Sequence, residues 1–275
     1  MRTTDLTITS GDDQFYPTPP SVAAKMLEGI DWRTVETILE PSAGKGDLIL
    51  AAARAKWDQC GRYHGKILDV DAVEIDPYLR EICKYNFSKQ KAKEYWEPYR
   101  KLDDMRYDER TEAQNREKMR LEKEARIIES VDLHIVHDDF LTYKTYKHYH
   151  LILMNPPFAD GDLHLLKALE MQKDGGDIIC LLNAETLRNP FSERRRLLAQ
   201  KLREFNAEIE YMEDAFSSDA ERKASVDVAI VKVRVPFEVK ESTLFERMKK
   251  AAEAEYVQDP EITAVIPSDA IAQWI

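Results

Sequence analysis

Hydrophobic positions along the chain alternate between two patterns. Short apolar runs bounded by turn residues occupy positions 34–39, 66–73, 134–140, 151–154, 176–182, 207–212 and 226–235, and each reads as a strand. The last of these, VDVAIVKVRV, has the β-branched alternation of a sheet. Between the runs, apolar residues recur at helical spacing: Val22, Met26, Leu27 and Ile30 within 21–30, the alanine-rich 48–57, then 162–172, and a stretch opened by Arg188 and Phe191 that runs to Phe205. Thr18 or Ser21 can cap the first helix, with Pro20 close to its first turn. Strands alternating with helices predict an α/β fold around an open, mostly parallel sheet of seven strands with helices on both faces.

One segment breaks the alternation. From about 88 to 130 glycine is absent, charges of both signs intermix, and Glu112/Arg116 and Glu122/Arg126 stand at i,i+4 spacing. This predicts a charged helical insertion. Tyr95, Trp96 and Tyr99 near its start either pack on the main domain or stack on a nucleic acid, and helical spacing favours packing. The domain reading is therefore a catalytic domain over 1–236 carrying this insertion. A C-terminal extension over 237–275 follows, with a short charged helix at 244–256, and reads as the start of a truncated further region.

Composition narrows the classes. The chain has 275 residues, a third of them charged, and a net charge of −11, so any grip on nucleic acid is local rather than a property of the whole field. Arg194, Arg195 and Arg196 form the one conspicuous basic patch and are the candidate phosphate contact, although a charge run is more often a solvated helix face. Cys60, Cys83 and Cys180 are scattered, without the paired spacing of a zinc site, so no metal is expected. With no long apolar run and no leader-like start, the expectation is a cytoplasmic protein without membrane contact.

Candidate chemistry sits at the ends of the strands. The 34–39 strand leads into Glu40-Pro41-Ser42-Ala43-Gly44-Lys45-Gly46-Asp47 and then a helix, an order that lets backbone approach a cofactor beside helix N–H groups. The glycines fall short of the full dinucleotide fingerprint, which suggests adenosine without pyrophosphate. The next strand ends in Glu74-Ile75, where an acid can hold a ribose diol, and the third ends in Asp139-Phe140, which can meet an adenine amine and ring. The fourth ends in Asn155-Pro156-Pro157-Phe158. Each proline removes an N–H and restricts the residue before it, so this loop is stiff and offers the Asn155 and Pro156 oxygens as acceptors for an incoming –NH2, with Phe158 as a flat apolar face. Taken alone, Asn-Pro-Pro is more often a turn that punctuates a strand. Convergence of all four strand ends on one sheet edge favours the functional reading.

In this order, with Phe15-Tyr16-Pro17-Thr18-Pro19 ahead of them, these segments resemble the class I S-adenosylmethionine-dependent methyltransferases, and within them the N6-adenine-specific DNA methyltransferases. The resemblance covers about residues 12–236 and implies a Rossmann-like fold. It implies that Tyr16, Thr18 and Pro19 help hold the methionine end of S-adenosylmethionine, and that Glu40, Ser42, Ala43, Gly44 and Gly46 surround it. Glu74 would bind the ribose, Ile75 would pack on the adenine, and Asp139 with Phe140 would recognise that adenine. Asn155, Pro156, Pro157 and Phe158 would hold an adenine flipped out of DNA for methylation, without a metal. Protein glutamine and RNA adenine methyltransferases, and an inactive subunit of a modification complex, stay open. The family places a target-recognition region after the catalytic domain, so recognition would come from the insertion, a partner or a missing segment. The sequence leaves the setting open among restriction-modification, phage defence and regulation.

Overall fold

A computed structural model describes residues 17–61, 68–106, 109–216 and 226–236. The chain divides at Pro236 into two units, and all the described residues belong to the first. Tyr16, the helix expected at 244–256 and most of the polar stretch 214–225 therefore lie outside the described residues.

The strands are β1 (Thr37–Glu40), β2 (Leu68–Val73), β3 (Val131–His137), β4 (Leu151–Met154), β5 (Gly176–Asn183), β6 (Glu208–Met212) and β7 (Val228–Val235). They form one sheet in the order β3-β2-β1-β4-β5-β7-β6, with β7 antiparallel to both of its neighbours and the other pairings parallel. The chain runs outward from β1 through β2 to β3, then returns to β4 on the other side of β1. That reversal is a topological switch point, and the crevice it opens lies beyond the carboxyl ends of β1 and β4. Glu40 ends the first of these strands and Asn155 follows the second.

Burial on both faces explains why the strands read as continuous apolar runs. Ile38, Val70, Leu151, Leu153, Ile179 and Ile230 pack into one layer with α1 (Pro20–Met26) and α2 (Asp47–Cys60). Leu39, Val73, Ile152, Met154, Ile178 and Val231 point the opposite way, against α6 (Gly161–Met171) and α8 (Glu193–Glu204). β6 alone has no buried residue.

The insertion is two long helices, α4 (Lys89–Asp103) and α5 (Glu112–Glu129), preceded by α3 (Pro77–Asn86). Its aromatics are engaged within the hairpin: Trp96 Nε1 donates to Glu129 at 2.7 Å, Arg126 lies over the Trp96 ring, and Lys118 lies over Tyr99. Trp96 and Tyr99 thus engage partners in the two insertion helices, and neither is fully buried. Ion pairs Arg54–Glu124 (2.7 Å) and Lys123–Asp58 (2.5 Å) fasten α5 to α2.

Several local expectations are corrected. Neither Thr18 nor Ser21 caps α1; Pro19 holds that position with an extended backbone and no side-chain bond, and Pro20 begins the helix. The helix expected from Arg188 to Phe205 is two, α7 (Glu185–Arg188) and α8, because Asn189 and Pro190 interrupt it and the Ser192 hydroxyl caps a new start at 3.2 Å from Arg195 N. Asp76 similarly starts α3, accepting from Tyr78 N and Leu79 N ahead of Pro77.

Gly46 is fixed by packing rather than by ligand approach. Its φ is +87°, and an added Cβ would lie 2.6 Å from Phe87 Cε2 and 3.1 Å from Cys83 Sγ. Gly46→Ala is accordingly expected to cost about 2–4 kcal/mol of stability from the left-handed backbone plus overpacking. Thermal denaturation checks this, and an unchanged Tm would contradict it.

Candidate active site

At the switch point lies a cavity of about 240 Å³. Its wall includes Thr18 before α1, Glu40 to Gly44 after β1, Glu74 and Ile75 after β2, Asp138 to Leu141 after β3, and Asn155 to Phe158 after β4. Four strand ends thus supply one cavity, which is what parallel strands at a crevice produce. Pro19 and Gly46, expected among the cofactor residues, do not line it: Pro19 caps α1 and Gly46 begins α2.

Glu40 is the most unusual group here. It is buried, and neither carboxyl oxygen has a hydrogen-bond partner among the described residues. Burial, then the nearby charges of Glu74 and Asp47, push its carboxyl well above the ordinary range. Glu74 is different, because Gly44 N donates to Oε2 at 2.6 Å and Asp76 N to Oε1 at 2.9 Å. Burial raises its pKa, and these N–H groups partly offset that. It ties the glycine turn to the start of α3 while facing the cavity. Ile75 is 67% exposed on the cavity wall, an apolar side chain available to a ring.

The β4 loop is held from two sides. Asn155 Nδ2 donates to Thr18 Oγ1 at 3.0 Å, which sets which way the amide points. The Phe158 ring meets Phe216 edge-on, with centroids 6.1 Å apart and an interplanar angle of 78°. Phe216 is fully buried, although its surroundings in sequence read as a polar loop, and no local pattern links it to a residue 58 positions earlier. Asp139 is engaged as well, its Oδ1 accepting from Leu141 N at 2.8 Å.

Pro17, Asp160 and His164 also belong to the wall, and sequence reasoning missed them. His164 had a signal: it falls on the buried stripe of α6 with Leu165, Ala168 and Leu169, and a histidine on an apolar stripe needs a reason. The arginine patch lies outside the wall. Arg194 sits 3.2 Å from Asp162 and 3.9 Å from Asp160, Arg195 lies over the Phe191 ring, and Arg196 Nη2 donates to Phe191 O. Two carboxylates just after the β4 loop therefore partly neutralise Arg194. No group of three or more His, Cys, Asp or Glu placed to hold a metal occurs among the described residues. No described helix is long and apolar enough to cross a membrane.

Among solved structures, the chain is similar to a modification subunit ascribed to a type I restriction enzyme of Vibrio vulnificus YJ016. The TM-score is 0.51 at 14% identity, over 82% of this chain and 46% of that one. The chain has the class I methyltransferase fold. It is also similar to a 23S rRNA methyltransferase (TM-score 0.47, 17% identity, 87% and 78% covered). A third neighbour is an O-methyltransferase from Bacillus cereus in complex with SAH (0.45, 12%, 78% and 81%). At these identities the likeness is one of fold, and the chain spans less than half of the Vibrio subunit. No protein-family model and no curated protein matches the chain.

Proposed function

We infer that this protein transfers the methyl group of S-adenosylmethionine to the N6 amino group of adenine in DNA. One observation carries the reading: the Asn155-Pro156-Pro157-Phe158 loop shares a single cavity with Glu40, Glu74 and Asp139. Acceptors for an amine thus line the same cavity as a set of acids suited to the ammonium and ribose of an amino-acid-bearing nucleoside. The donor set fits S-adenosylmethionine, since a partnerless buried carboxyl suits its ammonium and an exposed isoleucine its adenine.

When bound, the donor supplies an electrophilic sulfonium methyl. Glu40 would take the methionine ammonium and Glu74 the ribose hydroxyls, with Ile75, Asp139 and Phe140 around the adenine. Asn155 and Pro156 accept the two hydrogens of the target amine, which draws its lone pair out of the ring and stabilises the positive charge that develops on nitrogen. Phe158, braced by Phe216, stacks on the target base and excludes water. Thr18 acts through Asn155. Thr18→Val, which keeps the shape and removes the acceptor, is expected to lower kcat about tenfold to a hundredfold while donor affinity stays within about threefold. Loss of donor affinity with unchanged kcat would instead make Thr18 a donor contact.

The chemistry of the loop is that of an –NH2 group, so a glutamine amide in a protein is the runner-up. The pairing of Arg194 with Asp160 and Asp162 favours it, by removing one cation from the patch available to phosphate. Incubation with methyl-labelled donor and, separately, duplex DNA, RNA and peptide decides. Label on adenine of DNA supports the proposal, and label on RNA adenine or on a peptide amide only would overturn it.

A further inference from the structure

Helix α6 starts three residues after Phe158 and carries two side chains that meet the turn around Phe140. Lys167 Nζ donates to the backbone oxygens of Phe140 and Tyr143, which holds the Asp139 turn against the helix. His164 stands one turn earlier, beside the Phe140 ring, with centroids 5.5 Å apart and a tilt of 30°. Its Nδ1 lies 2.9 Å from Asp160 O. A carbonyl can only accept, so Nδ1 carries the hydrogen and donates. Burial lowers the imidazole pKa and keeps the ring neutral, partly opposed by the Asp160 backbone bond and the Asp160 and Asp139 charges. Nε2 is then a lone-pair acceptor. It takes part in no hydrogen bond among the described residues, and it belongs to a residue of the cavity wall.

An aminopurine has two amine hydrogens, and on desolvation each needs an acceptor. The Asp139 carboxylate provides one, with Oδ1 already receiving Leu141 N–H. We propose that His164 is a specificity-determining residue: through Nε2 it accepts the second amine hydrogen of the donor's adenine and so selects a 6-amino over a 6-oxo or unsubstituted purine. The inference rests on the donor reading above. Asp160 is the positioning element, because its carbonyl fixes the tautomer that leaves Nε2 as acceptor. A 6-oxo base would set oxygen against that lone pair, and a base without the amine would leave both acceptors unfilled. Sites built to bond a polar group reject analogues that lack it.

Calorimetry with three thioethers tests this: S-adenosylhomocysteine and its counterparts in which the base amine is replaced by hydrogen or by oxygen. The wild type is expected to bind the amino compound at least about tenfold more tightly than either counterpart, as one well-aimed hydrogen bond allows. His164→Phe is expected to weaken the amino compound about tenfold and change the hydrogen analogue less than about twofold. His164→Gln restores an acceptor and is expected to stay within about threefold of wild type, which keeps the test available if the phenylalanine variant does not fold. Long-range ¹H–¹⁵N correlation should show Nδ1 protonated in the ligand-free protein. Equal weakening of all three compounds in His164→Phe, or no weakening of the amino compound, would overturn the role while leaving the donor reading intact. A wild type that binds none of the three overturns both.

Discussion

Replacing Asn155 by alanine is expected to lower kcat by at least about a hundredfold, with affinity for S-adenosylmethionine within about threefold of wild type. The expectation follows from position. Asn155 lies on the β4 side of the switch point, whereas the acids assigned to the donor stand at or just beyond the ends of β1, β2 and β3. Its side chain would meet the target amine as positive charge develops there, so its loss falls on the transition state and not on donor binding. Thr18 loses its Asn155 contact in this variant, but no donor acid does. Stopped-flow single-turnover kinetics with titration of the donor separates the two parameters. A parallel loss of donor affinity would contradict the division of the cavity.

Glu40→Gln is expected to act in opposite directions on binding and stability. The ligand-free carboxyl has a raised pKa, so the stability it confers is present below its unfolded pKa and is lost as pH rises through the folded one. Glutamine does not titrate. The Tm of the variant minus that of wild type should therefore grow with pH across this window, by about 2–4 °C for each kcal/mol. Donor binding should be lost, since the ammonium has no buried anion to meet. In the wild type, at pH values where the donor amine stays protonated, binding should release a proton from Glu40. Affinity should then rise with pH until the free carboxyl is ionised. Calorimetry in buffers of different ionisation enthalpy measures that proton. A Tm difference that stays flat with pH, together with retained binding, would contradict the role assigned to Glu40.

The strands and the residues at their ends were legible because burial on both faces writes itself as uninterrupted apolar runs, and because glycine and proline punctuate them. Leu151 to Met154 followed by Asn-Pro-Pro could be read as a strand and a stiff loop from four letters on either side. The supports of that loop could not. Thr18 meets Asn155 across 137 positions and Phe216 meets Phe158 across 58, and no periodicity encodes such pairings. Gly46 was counted with the cofactor residues through the family resemblance, yet Phe87 and Cys83 of the α3 region are what exclude a side chain there. The arginine run gave its charge but not its neighbours; Asp160 and Asp162 stand 34 and 32 positions before Arg194 and become adjacent only when α6 and α8 pack on the same face. His164 did leave a signal, a histidine on the buried stripe of α6, but the stripe does not encode which cavity it borders.

The central claim is that one cavity at the β1–β4 switch point seats the donor against the Asn155 loop. A crystal structure of the protein with S-adenosylhomocysteine tests it most directly. The account predicts the adenine between Ile75 and Phe140, the ribose on Glu74, the ammonium on Glu40 and the sulfur turned toward Asn155. A thioether bound elsewhere, or seated with its sulfur away from Asn155, would contradict it.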